Sequence, residues 1–119
     1  MFIERRASCR ISIACKISMV LGEKQVVLNC HTENLSTGGI MVIIEESITP
    51  STVVDLELFL WDKEKPLKCK GQVIWFNEIA PKESKPRLFN TGIEFIDISD
   101  SDKEEIGKFI NYIISTWQG

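Results

Sequence analysis

Three arginines stand within six residues near the start of the chain, in RRASCR at 5–10. Arg6 and Arg10 make the pattern R-x-x-x-R, and Arg5 directly precedes it. A guanidinium is a planar fork of donors, so such a cluster suits a phosphate, a base edge or the flat face of a ring. A second polar set follows about two dozen residues later, NLSTGG at 34–39, with Asn34, Ser36 and Gly39 in the spacing N-x-S-x-x-G. Asparagine both accepts and donates, and serine brings a short hydroxyl. Glycine lets backbone come close to a ligand or adopt positive φ. Each set alone has a plain explanation: charged chain ends are usually solvated, and Asn, Ser and Gly are ordinary turn residues.

The chain as a whole is acidic. Net charge is −3 over 119 residues, so the surface as a whole does not attract nucleic acid or an acidic membrane. Any anion site must be local, and residues 5–10 are the densest cluster of arginine. Lys68 and Lys70 share the outward face of one expected strand, but without interleaved aromatics they do not make a single-stranded nucleic-acid track. The four cysteines, Cys9, Cys15, Cys30 and Cys69, form no C-x-x-C pair, and His31 is the lone histidine. That spacing predicts reduced thiols and neither a metal site nor a cofactor. Cys9 lies between arginines that would favour its thiolate, which makes redox tuning conceivable. No nucleophile is paired with a base, so the chain is not expected to be an enzyme. No apolar run reaches the roughly 18 residues of a membrane span, and MFIERRASCR lacks the core of a secretory signal, which points to the cytoplasm.

Positioning the two polar sets falls to strands. Ile11, Ile13, Cys15, Ile17 and Met19 alternate with polar residues at period two, the mark of a half-buried strand. After a turn at GEK, Val26, Leu28 and Cys30 alternate likewise. Further strands are expected at 40–44, at Val54 to Leu60, at Leu67 to Trp75, and at Phe89 to Phe95. In the fifth, Leu67, Cys69, Gly71, Val73 and Trp75 share one parity and are expected to point inward. The period then changes. Ile106, Phe109, Ile110, Ile113, Ile114 and Trp117 recur at three and four, an amphipathic helix whose start carries a capping box of Ser101 and Glu104. Six short antiparallel strands and one helix predict a single all-β domain over 1–119. It divides into an arginine-bearing flexible arm at 1–10, a six-stranded barrel of the split-barrel type at 11–98, and a C-terminal helix at 100–117. The helix stripe either docks on its own barrel or forms a dimer seam. Hairpin pairing of the first two long strands would bring both polar sets to the same rim.

RRASCR and NLSTGG together resemble the PilZ family, in motif, order and separation. GQVIW at 71–75 and TGIEF at 91–95 resemble that family's later strands, and the likeness runs nearly the length of the chain. The resemblance implies a bacterial receptor for the second messenger cyclic di-GMP, acting as an adaptor that signals to an unidentified downstream protein. Ligand-binding roles would fall to Arg5, Arg6, Arg10, Asn34, Ser36 and Gly39. Trp75 would offer an indole to a guanine, unless it packs in the core. Arginine can fork onto guanine O6 and N7 or pair with phosphate, and which of Arg6 and Arg10 does which stays open. In the family an arginine at the position of Arg5 accompanies two intercalated ligand copies. The arm would order on the ligand. The alternative is a divergent PilZ-type protein-interaction module that does not bind the nucleotide.

Overall fold

The computed structural model describes residues 8–9, 11–61, 65–79 and 86–118; for 8, 9, 117 and 118 it describes backbone alone. Arg5, Arg6 and Arg10 lie outside the described residues. Among the described residues seven strands and one helix follow in order: β1 Ser8–Cys9, β2 Ala14–Leu21, β3 Lys24–Ser36, β4 Gly39–Ile44, β5 Val53–Leu58, β6 Leu67–Glu78, β7 Phe89–Asp97 and α1 Asp100–Gln118. All pairings are antiparallel. β3, β2, β5, β6, β7 and β4 join side by side, and β4 pairs back onto β3, closing a six-stranded barrel.

The closure depends on the length of β3, which at 13 residues is the longest strand described. Its first part, Lys24 to His31, pairs with β2, and its last part, from Thr32, pairs with β4 on the opposite edge. The two-residue β1 lies against the end of β3, on the edge that β2 occupies farther along, with Ser8 opposite Ser36 and Cys9 opposite Leu35. Two residues of the expected arm thus already form a ladder with the N-x-S-x-x-G strand.

The core follows the alternation read from sequence. Ile11, Ile13, Cys15, Ile17 and Met19 are all buried, as are Ile40, Val42 and Ile44, Val54, Leu56, Leu58 and Leu60, and Phe89, Ile93 and Phe95. Cys15 stands directly opposite Cys30 across β2 and β3. The Cys15 thiol donates to Cys30; this bond, together with burial, pushes Cys15 up, and it holds Cys30 below the ordinary thiol range against the opposing effect of burial. Burial, with Asp102 and Asp97 nearby, pushes the Cys69 thiol up to about 11. These three cysteines are free thiols.

Two expectations need correction. Trp75 is not inward. A register shift between Val73 and Trp75 inserts one extra residue into β6, reversing parity beyond it. Val73 is fully buried while Trp75 is 40% exposed. The helix cap is not Ser101: Ser99 Oγ accepts from Asp102 N–H at 3.0 Å, and Lys103 N–H donates to the Ser99 carbonyl at 3.0 Å. Ser99 is therefore the N-cap, and Ser101 lies inside the first turn.

α1 docks its stripe on its own barrel. Ile106, Phe109 and Ile110 are buried in the common core, each worth roughly 1.5–3 kcal/mol of burial. Trp61 fastens this contact from the barrel side. Its φ is 57°, uncommon for so bulky a residue. Its ring meets Phe109 edge-on at 5.1 Å, and its indole N–H donates to Glu105 at 2.6 Å. Among the described residues no helix is long and apolar enough to cross a membrane.

The cap assignment predicts that Ser99→Ala lowers stability by about 1 kcal/mol, while Ser101→Ala changes it by less than about 0.5 kcal/mol. Urea denaturation of the two variants checks this, and the opposite ranking would return the cap to Ser101.

Candidate functional site

Facing residues of antiparallel strands share a face, so the register alone lays out the outer surface beside NLSTGG. One row crosses four strands: Asn34 on β3 faces Met41 on β4, Met41 faces Gly92 on β7, and Gly92 faces Trp75 on β6. The next row along the strands carries Gly39, Glu94 and Gln72. Between and beneath these rows is an open cleft of about 380 Å³, lined by Asn34, Ser36, Gly39, Ile74, Trp75 and Glu94 among others. Asn34, Ser36, Gly39 and Trp75, four residues singled out in sequence, therefore meet at one place.

Trp75 reaches this face because of the bulge, and it lies flat because of Gly92. A Cβ at Gly92 would collide with the Trp75 indole. The side-chain-free strand is the seat of the ring, and the ring forms one wall of the cleft. Ile74, the bulge residue, is half exposed next to it.

The opposite wall is the turn between β3 and β4. Ser36 Oγ accepts from the N–H of Gly38 and of Gly39, both at 3.2 Å, and its proton points to the Gly39 carbonyl at 3.3 Å. A hydroxyl has one donor and two acceptor sites, so this turn uses all of them. Ser36 thus shapes the rim, and it could meet a ligand only by releasing one of these long bonds. Gly39 does not take positive φ; among the described glycines only Gly22 does, at 66°. Gly39 is needed for close strand approach, because a Cβ there would collide with the Ile93 carbonyl oxygen on β7.

Charge is the conspicuous deficit. Among the described residues lining the cleft, Glu94 is the one that bears a formal charge. The cleft by itself therefore has shape and an aromatic wall but no attraction for an anion. β1, which lies between Arg6 and Arg10 in sequence, is paired to Leu35 and Ser36 of this rim. The lysines farther round the barrel are not an alternative. On that face Lys16, Glu57 and Lys68 lie in one row, and Asp55, Lys70 and Asp97 in the next, with Lys70 Nζ 2.7 Å from Asp55. Alternating signs neutralise them, leaving no basic track. Among the described residues no three His, Cys, Asp or Glu side chains converge on a metal position.

The PilZ domain family model matches residues 4–112. The chain belongs to the PilZ domain family. No curated protein sequence matches it. Among solved structures it is similar to the inhibitor of motility MotI/DgrA of Bacillus subtilis, with a TM-score of 0.69 at 15% identity over 92% of this chain and 50% of that one. It is also similar to the PilZ domain of Escherichia coli YcgR with c-di-GMP, at TM-score 0.66 and 13% identity, covering 90% of this chain and 85% of that one. The Escherichia coli YcgR structure in complex with c-di-GMP matches at TM-score 0.69 and 16% identity, over 98% of this chain and 49% of that chain. At such identities the likeness is one of fold. The chain spans about half the length of MotI/DgrA and of that larger YcgR structure. In this PilZ domain the closed barrel and the helix match the architecture of those proteins.

The cleft walls that sequence reading missed are Met41, Ile74, Gly92 and Glu94. Gly92 was visible in TGIEF as an outward glycine in a strand, a sign of close approach. The bulge at Ile74 leaves no such sign.

Seating Trp75 on Gly92 predicts that Gly92→Ala costs about 1–3 kcal/mol by overpacking and shifts the Trp75 emission. Fluorescence and urea denaturation, with Trp75→Phe as the spectral reference, check both. An unshifted spectrum and midpoint would mean that the ring is not seated there.

Proposed function

We propose that this PilZ domain is a cytoplasmic bacterial receptor for cyclic di-GMP, in which the arginine segment and the cleft on β3, β4, β6 and β7 hold the nucleotide between them. The observation that carries the reading is the pairing of Ser8–Cys9 with Leu35 and Ser36. Arg6 and Arg10 each lie two residues from Ser8 in sequence. Two residues span at most about 7 Å of chain, so covalent geometry alone keeps both near the N-x-S-x-x-G rim. That the two YcgR structures contain c-di-GMP supports the same ligand class.

The chemistry matches what each side lacks. Cyclic di-GMP carries two phosphates and two guanines. Arginine supplies positive charge and a planar fork, with ~1–3 kcal/mol of base discrimination for a bidentate guanine contact. Trp75 supplies a ring face for stacking, and Asn34 a donor and an acceptor for a base edge. Ordering the five residues from Arg6 to Arg10 would cost about 5–10 kcal/mol from a fully free chain, at ~1–2 kcal/mol each. Charged hydrogen bonds return ~1.5–3 kcal/mol apiece. Affinity on this reading depends steeply on every arginine, and the β1 ladder reduces the cost by holding two of the five residues beforehand. Binding would order the rest of the arm and present a changed rim to a downstream protein, which makes the domain an adaptor. Arg5 extends the site toward a second, stacked ligand copy.

Isothermal titration with cyclic di-GMP tests the reading. Wild type should bind with two ligands per chain, and Arg6→Ala or Arg10→Ala should lose binding while the thermal midpoint stays unchanged. Arg5→Ala should reduce the stoichiometry to one. Absence of heat with wild type would leave the protein-interaction module as the better description.

A further inference from the structure

Thr32 is one of the two fully buried polar side chains among the described residues, and its hydroxyl sits where the N-terminal segment changes step. Cys9 faces Leu35, while Ile13 meets Thr32 through a bond from Thr32 N–H to the Ile13 carbonyl at 3.0 Å. Four residue steps on the N-terminal side thus run beside three on β3. One residue is in excess, so the main-chain ladder cannot continue unbroken. Thr32 Oγ1 fills the gap. It accepts from Ile13 N–H at 3.1 Å and donates to the Ile11 carbonyl at 2.6 Å. On the other edge of β3 the register to β4 also slips between Thr32 and Asn34.

We infer that Thr32 is the clasp that sets the arginine segment against the N-x-S-x-x-G strand, and is thereby a positioning residue for nucleotide binding. Ile11, which it grips, directly follows Arg10, and Asn34 lies two residues beyond Thr32 on β3. One buried side chain therefore ties the residue after Arg10 to the strand that carries Asn34, without lining the cleft itself. Replacing the hydroxyl with a methyl keeps the volume but leaves the Ile13 N–H and Ile11 C=O without partners in a dry site, and buried groups left in that state are costly. The segment regains partners most cheaply by lifting into water, which uncouples Arg10 from Asn34.

This inference rests on the cyclic di-GMP reading, and hydrogen exchange separates the two. In wild type without ligand, the Ile13 amide should be strongly protected. Thr32→Val should speed exchange at Ile13 and Cys9 by tenfold or more, and weaken cyclic di-GMP binding at least tenfold in titrations on folded protein. Thr32→Ser, which keeps the hydroxyl, should restore both. A purely structural threonine would lower the urea midpoint in Thr32→Val and leave the affinity of the folded fraction unchanged, which would overturn the inference. Should Thr32→Val fail to fold, fast exchange of Ile13 in wild type would overturn it equally. If wild type gives no heat with the nucleotide, the binding reading falls, while the exchange comparison still decides for or against the clasp.

Discussion

The two-sided pairing of β3 is the constraint on which everything else in this domain depends. A strand of ordinary length has one neighbour along each edge. β3 is long enough to serve β2 with its first part and β4 with its last, with β1 following β2 along the first edge. The barrel closes at that exchange, and the polar motif lies just past it. Every residue of the cleft is then placed by counting across the sheet. Asn34, Met41, Gly92 and Trp75 form one row because the β4–β7 ladder runs unshifted and the slips before Asn34 on β3 and before Trp75 on β6 bring those two residues into line with it. Removing either slip would return its residue to the parity of the inward set.

Local irregularities complete the site where the regular ladder would not. The β6 bulge brings Trp75 to the outer face, Gly92 makes room for its ring, and the close approach of β7 to Gly39 seals the floor. Ser36 ties the rim turn, and Thr32 bridges the unmatched step beside it. Both hydroxyls replace main-chain partners at points where strand pairing fails. Buried or half-buried backbone needs partners from somewhere, and short hydroxyl side chains supply them with little added volume.

Period-two alternation exposed the core almost residue by residue, since Ile11 to Met19, Val54 to Leu60 and Phe89 to Phe95 bury the sets it predicted. The motifs exposed the rim, because Asn34, Ser36 and Gly39 carry chemistry in their types. Alternation failed at Trp75. A bulge changes parity without changing composition, so Val73 and Trp75 look alike in sequence and face opposite ways in the barrel. The cap was misplaced by two residues because Ser99 and Ser101 both precede acids in an acidic run, and only the Asp102 N–H reaching Ser99 Oγ separates them. Thr32 was illegible for a related reason. Its importance comes from a mismatch between two strands, a property of the pair that neither strand shows alone.

Separating shape from charge has a consequence for how such a site works. The described cleft offers an aromatic wall and amide and hydroxyl groups, with Glu94 as its one formal charge, while the three arginines belong to a different stretch of chain. A preformed pocket holding three guanidinium groups without a ligand would suffer their mutual repulsion in a partly desolvated place. On the proposed reading, carrying them on the segment tethered through β1 avoids that repulsion until an anion is present to offset it. An anion with planar bases satisfies both halves at once, charge on one side and stacking on the other. Neither half has much to gain from a ligand that lacks one of these. On the proposed reading, selectivity then comes from the need to join two surfaces, and the strength of the join is set where the segment is fastened to β3.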